Sequence, residues 1–142
     1  MFKKILVATD ASEYSRRALR TALEIARVFN AEVELLFVIH LREAYWGYNA
    51  VYSILVPQEQ IEEAGELALE ATLEGIDLGD TSLIKKKEQG YPASVILDEI
   101  DKENVDLVVM GSHGYGPIVG SVLGSVSQRV VQRAKCPVLI VK

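Results

Sequence analysis

The sequence predicts an α/β fold, an open parallel sheet with helices on both faces. Three observations carry this. Short apolar runs such as Leu107–Met110 recur along the chain, as strands buried on both faces require. Between them lie segments whose apolar residues repeat at helical spacing. The two kinds alternate as βαβαβαβαβ, with no linker and no repeat of about 20–50 residues. A chain of 142 residues suffices for one domain around one sizeable core, and residues 1–142 are read that way.

Ile5–Ala8 is the first strand. Ser12 then offers an N-cap, and Ala18, Leu19, Ala22, Leu23, Ala26 and Phe29 give the first helix one apolar face. Asn30 stops it. Val33–Ile39 is the second strand, closed by His40. Residues 41–56 hold four of the ten aromatic residues (Tyr45, Trp46, Tyr48, Tyr52) and read as a long loop, either a lid or contact patch or a flap packing its own aromatics. Pro57 suits a first helical turn. Ile61, Ala64, Leu67, Ala68 and Ala71 mark the inner face of the second helix, with glutamates outside. Ser82–Glu88 is a short third strand. Gly90-Tyr91-Pro92-Ala93 turns into a third helix, with Val95, Ile96 and Ile100 facing inward. Leu107–Met110 is strand four, Ser125–Ala134 helix four and Pro137–Val141 strand five.

Composition narrows the function. Residues 41–80 carry one base and nine acids, which argues against a nucleic-acid footprint. Lys85-Lys86-Lys87 is the one basic run, and it reads as a solvated edge strand guarded by lysine. No apolar run reaches the ~18 residues of a membrane span. The apolar run at the N-terminus meets Asp10 after five residues, too short for a signal-peptide core. The single cysteine, Cys136, excludes an internal disulfide and favours a cytoplasmic location. It reads as a packed or partly covered thiol.

The densest chemical signal follows strand four. Glycines stand at 111, 114, 116, 120 and 124, and Ser125 and Ser127 open a helix. Glycine lets backbone N–H groups approach an anion, and a helix N-terminus adds unpaired donors with a partial positive charge. The pattern predicts a phosphate site. In such sheets ligands lie beyond the C-terminal strand ends, where strand order reverses, so Thr9–Ser12, Val38–His40 and Met110–Gly114 are candidate segments. A Walker loop is excluded, because Pro117-Ile118 stands where Lys-Ser/Thr is required. Gly114-x-Gly116-x3-Gly120 misses the dinucleotide spacing too. No Ser-His-Asp set and no Cys/His metal spacing is present.

The pattern Gly111-x2-Gly114-x9-Gly124-Ser125 resembles the nucleotide-binding signature of the universal stress protein family. Lys4–Ser12 resembles that family's first strand and its Asp-Gly-Ser-like turn. Gly90-Tyr91-Pro92-Ala93 resembles its Gly-x-Pro-Ala turn, and Asp106–Gly111 and Cys136–Val141 its last two strands. The resemblance implies a Rossmann-like sheet ordered 3-2-1-4-5 and a homodimer through Val138–Val141. Since the glycine signature is kept, it implies the ATP-binding branch, with AMP as a second candidate. Ala8, Thr9 and Asp10 would lie under the nucleoside, with Asp10 near the ribose or a phosphate-bound Mg²⁺. Val38 would meet adenine, and Met110 and Gly111 would flank the nucleoside. Ser112, His113, Gly114, Gly124, Ser125, Val126 and Ser127 would surround the phosphates. Many relatives carry Arg or Lys in or after the Gly-x2-Gly turn, whereas His113, Tyr115 and Pro117 stand here. That departure puts triphosphate preference over AMP in question. A protonated His113 would make phosphate binding pH-dependent, and Asp10 has an Asx turn as its alternative role. The implied function is a nucleotide-dependent regulatory switch read by other proteins. The alternatives are a slow ATP hydrolase or AMP/ADP-handling enzyme, and a dimeric interaction module without nucleotide.

Overall fold

A computed structural model describes residues 1–40, 57–114 and 123–142. The long aromatic loop expected at residues 41–56, and the central part of the glycine loop, lie outside them. The elements are β1 (Lys4–Thr9), α1 (Glu13–Phe29), β2 (Glu32–His40), α2 (Gln58–Leu73), β3 (Leu83–Gly90), α3 (Pro92–Lys102), β4 (Leu107–Gly111), α4 (Ser125–Arg133) and β5 (Val138–Val141). The strands form one parallel sheet ordered β3-β2-β1-β4-β5, as the resemblance implied.

Strand periodicity divides the core into two layers. Ile5, Val7, Val33, Leu35, Leu107 and Val109 face α1 and α2, where Leu19, Leu23 and Leu69 meet them. Leu6, Leu36, Val108 and Met110 face α3 and α4, packing on Ile96, Ile100 and Val130. Helix α1 begins at Ser12, whose hydroxyl accepts the Ser15 N–H, and ends at Asn30 in the left-handed region at φ 55°. The backbone N–H groups of Lys3 and Lys4 donate to the Asp106 carboxylate, tying the start of β1 to the entry of β4.

Three expectations are corrected. The inner face of α2 is Gly65, Leu69 and Thr72, while Ala64, Leu67 and Ala71 point outward, Leu67 being 58% exposed. Gly65 sets this rotation. A β-carbon there would stand 3.0 Å from Lys87 Cδ and 3.2 Å from Ile39 Cδ1, so the missing side chain lets the helix settle on the β2–β3 edge. Phe29 is 40% exposed and meets Phe2 edge-to-face at 5.1 Å between ring centres. Strand β3 spans eight residues rather than a short stretch, because it pairs with β2 from Leu83↔Val33 to Gly90↔His40.

The lysine run is on an edge strand, but it is not uniformly solvated. Alternation sends Lys85 and Lys87 to Glu66 of α2, at 3.3 and 3.4 Å. Lys86 points to the opposite face and meets Glu34, Glu99 and Glu103. Cys136 is half-buried, and burial raises its thiol pKa.

Candidate functional site at the ends of β1 and β4

The strand order reverses between β1 and β4, which lie side by side with Ala8 opposite Met110. A crevice at such a reversal is where open α/β sheets take ligands. Two turns form its rim.

The turn after β1 is closed by its own hydrogen bonds. Asp10 Oδ1 accepts the Ser12 N–H at 2.9 Å and the Ser15 hydroxyl at 2.7 Å. The Asp10 N–H donates to Ser15 Oγ at 3.1 Å. Ser15 has given its one proton to Asp10, so the 3.2 Å contact between the two serines is donated by Ser12. Asp10 therefore makes the Asx turn weighed for it. Ala11 sits at φ 69°, a conformation that favours glycine, and its N–H donates to Thr9 Oγ1 at 2.9 Å.

The turn after β4 gathers the glycine signature. The Ser112 N–H donates to Val141 O at 2.9 Å, extending the β4–β5 pairing by one bond. Ser112 O accepts the Gly124 N–H at 2.8 Å, and the buried Ser127 hydroxyl donates to Gly111 O at 2.8 Å. These two bonds dock the first turn of α4 onto the end of β4. Gly124 occupies the N-cap position, and no side chain caps the helix there.

Each glycine has a different steric reason. A β-carbon at Gly111 would lie 2.7 Å from Tyr14 Cβ, so α1 crosses the strand end too closely for any side chain. At Gly114 it would lie 2.0 Å from Asp10 Oδ2, so the two turns touch through this glycine and this carboxylate. At Gly124 it would meet His113 Cα and Ser112 O at 3.5 Å, ordinary contact distance, and φ is −66°. Among the described residues nothing excludes a side chain at 124, and its absence leaves the first turn of α4 without a side-chain cap.

The predicted residues divide by sheet face. Ala8, Val38 and Met110 project onto the α3–α4 side near the strand ends. Asp10, Gly111, Ser112, His113, Gly114, Gly124, Ser125, Val126 and Ser127 cluster around the two turns. Thr9 lies on the other side, buried, its hydroxyl 2.8 Å from that of Thr72 in α2. Sequence reasoning passed over Tyr14, which packs on Gly111 and meets the His113 ring edge-to-face at 5.5 Å. Arg17 lies 4.9 Å from the Tyr14 ring centre and donates to Lys142 O. His113 Nδ1 is 3.1 Å from Ser112 Oγ. Ser15 and Thr72 were passed over too. The first carries a detectable signal, a serine three residues after the N-cap serine, and the second carries none.

A cavity of about 500 Å³ lined by Ile100, Asp101, Val105, Lys135 and Cys136 lies at the opposite end of the strands, away from both turns. Among the described residues no cluster of three or more His, Cys, Asp or Glu could hold a metal ion, and no helix is long and apolar enough to cross a membrane.

The model of the universal stress protein family matches residues 1–142. A universal stress protein of Thermus aquaticus is 38% identical over 146 aligned positions, covering all of both chains. The solved structure of MJ0577 from Methanocaldococcus jannaschii is 32% identical with a TM-score of 0.82, covering 100% of this chain and 96% of that one. A universal stress protein solved in complex with cAMP is 31% identical with a TM-score of 0.64, covering 99% and 96%.

Proposed function

The chain belongs to the universal stress protein family, and we propose that it binds an adenine nucleotide across the β1 and β4 turns and uses it as a regulatory signal. ATP with Mg²⁺ is the first ligand proposed and AMP the second. The cAMP complex of a relative 31% identical to this chain supports the nucleotide class. The observation that carries the reading is Gly124. Neither its φ nor its neighbours among the described residues require glycine, yet glycine leaves the helix end without a side-chain cap.

In this reading the backbone N–H groups of Ser125, Val126 and Ser127 donate to the phosphate oxygens, with the helix dipole behind them. The Ser127 hydroxyl proton is already given to Gly111 O, so Ser127 serves through its backbone, while the exposed Ser125 offers its hydroxyl. Ala8, Val38 and Met110 form the apolar floor under the nucleoside. Mg²⁺ would be held chiefly by phosphate oxygens and water, with Asp10 the carboxylate that lies against the Gly114 turn. The bound ion supplies charge neutralisation, and the residues around it fix where the phosphates sit.

Two finer statements belong to the same proposal. The β5 edge, four residues with Leu139 37% exposed, is proposed as the pairing surface of a homodimer in the cytoplasm. Sedimentation at micromolar concentration checks it, and a monomer refutes it. Phosphate release above the buffer rate, abolished by Asp10→Ala with binding retained, would favour the hydrolase alternative.

The nucleotide reading is tested by mass spectrometry of molecules extracted from the purified protein, followed by calorimetric titration with ATP and AMP. Gly124→Asp is the discriminating variant. Aspartate is a better N-cap than glycine by a few tenths of a kcal/mol, so the fold should hold or gain. Its charge faces the phosphates, so affinity should fall at least tenfold. No heat with millimolar ATP and Mg²⁺ overturns the reading.

A further inference from the structure

We propose that Glu34, Glu99 and Lys86 form a proton-operated latch, in which one proton shared by the two glutamates holds helix α3 against β2 and β3. This device is separate from the nucleotide crevice. It lies between the sheet and α3, and none of its residues touches the two turns.

The geometry is that of an unbalanced buried cluster. Glu34 of β2 is 1% exposed and Glu99 of α3 is 3% exposed. One ammonium serves both. Lys86 Nζ of β3 contacts Glu99 Oε1, stands 3.4 Å from Glu34 Oε1, and is 3.0 Å from Glu103 Oε1. The second base, Lys4 of β1, is committed elsewhere, at 3.0 Å from Glu103 and 3.7 Å from Glu32. Among the described residues, Lys4, Glu32, Lys86, Glu99 and Glu103 are the charged groups around Glu34 from β1, β2, β3 and α3. With every carboxyl ionised, this buried space holds more negative than positive charge.

One atom shows where a proton belongs. Glu34 Oε2 is buried and has no hydrogen-bond partner among the described residues, while the Glu34 and Glu99 carboxylates are drawn together on the one Lys86 ammonium. Two carboxylates facing each other repel, and neither can donate. A single proton between them removes one charge, ends the repulsion and gives the orphaned oxygen a bond. Burial first, and the Glu99 charge second, push the Glu34 carboxyl up to about 7, against the pull of Lys86 and Lys4.

The sign is fixed by linkage. The folded carboxyl holds its proton to a higher pH than the unfolded one. The latch is therefore fully engaged below the unfolded value of 4.5 and is lost as pH rises toward about 7. Acidification tightens α3 and alkalinisation loosens it.

The test follows urea unfolding of the native protein and of Glu34→Gln across this range. In the native protein the unfolding constant should climb by close to tenfold per pH unit between about pH 5 and 7, then level off. Glutamine is neutral at every pH and can still donate to Glu99, so its curve should lack that rise. His40 and His113 remain in both proteins and cancel in the difference. Should the variant fail to fold, carbon-13 titration of the glutamate carboxyls decides on the native protein alone. One carboxyl titrating near pH 7, with α3 amide protection falling as it ionises, supports the latch. A full set titrating below pH 5.5, or a variant that keeps the native slope, overturns it.

Discussion

Replacing Thr72 with valine tests the joint between the β1 turn and helix α2. The Thr72 hydroxyl donates to Ala68 O at 2.8 Å, which uses its only proton. The 2.8 Å contact between the two threonine hydroxyls is therefore donated by Thr9. The same Thr9 oxygen accepts the Ala11 N–H at 2.9 Å, so one chain of bonds runs from the turn into the helix. Valine keeps the shape and deletes the acceptor. Thr9 is 7% exposed and Thr72 fully buried, so water does not replace the lost partner. An unsatisfied buried donor costs about 1–3 kcal/mol. The added methyl returns about 0.8 kcal/mol, leaving a net loss of roughly 0.2–2 kcal/mol. With a urea slope of about 2 kcal/mol per molar, the midpoint should fall by roughly 0.1–1 M without a change of slope. The double variant Thr9→Val/Thr72→Val should show a coupling of about 0.5–1.5 kcal/mol. A Thr72→Val midpoint equal to that of the parent refutes the direction assigned to these bonds.

Other outcomes follow from single features. Ala11→Gly removes a left-handed strain of about 1–2 kcal/mol and adds about 0.4–1 kcal/mol of unfolded-state entropy, so it should stabilise by roughly 0.5–1 kcal/mol, read as a higher melting temperature. Gly114→Ala should destabilise by about 1–3 kcal/mol by driving a methyl into Asp10 Oδ2, and Asp10→Ala in the same chain should recover part of that loss; additive effects would contradict the contact. Hydrogen bonds from Lys4 and Lys86 hold the Glu103 carboxyl down to about 2, so its contribution is present in full above 4.5 and lost as pH falls from 4.5 through about 2. Glu103→Gln should accordingly flatten the acid limb of the stability curve, and superimposable acid unfolding curves would remove Glu103 from the account.

How much of this was legible in the sequence depends on the range of the interaction. Ser12, Asn30 and the four apolar strands β1, β2, β4 and β5 announce themselves because capping and short apolar runs are local. The glycine signature was legible as a motif, and the fold places Gly111, Gly114 and Gly124 together. Their distinct duties were not legible. Tyr14 over Gly111 and Asp10 against Gly114 are contacts between segments about 100 residues apart, which only the closed sheet creates. The rotation of α2 hid for a similar reason. Its alanines and leucines admit two overlapping stripes, and Gly65 chooses between them by how closely it approaches Lys87 and Ile39. Lys86 was misread because a run of three lysines looks uniformly solvated, while strand alternation turns its middle member inward. Glu34 gives no local hint of burial, since a glutamate in a strand is expected on an outer face.

The strand order also sets a timetable. β1 is made first, yet it lies at the centre of the sheet and needs partners on both sides. Its β2 side is supplied at once. The other side stays open until residues 107–111 exist, and the bond from Lys3 to Asp106 spans 103 positions. At about 5–20 residues per second on the ribosome, that edge is unpaired for roughly 5–20 s. During that interval Ile5, Leu6 and Val7 have no β4 to pair with, and they form an unpaired apolar strand edge. Slowing translation after β3 should therefore raise aggregation of the newborn protein, whereas slowing it after β4 should not.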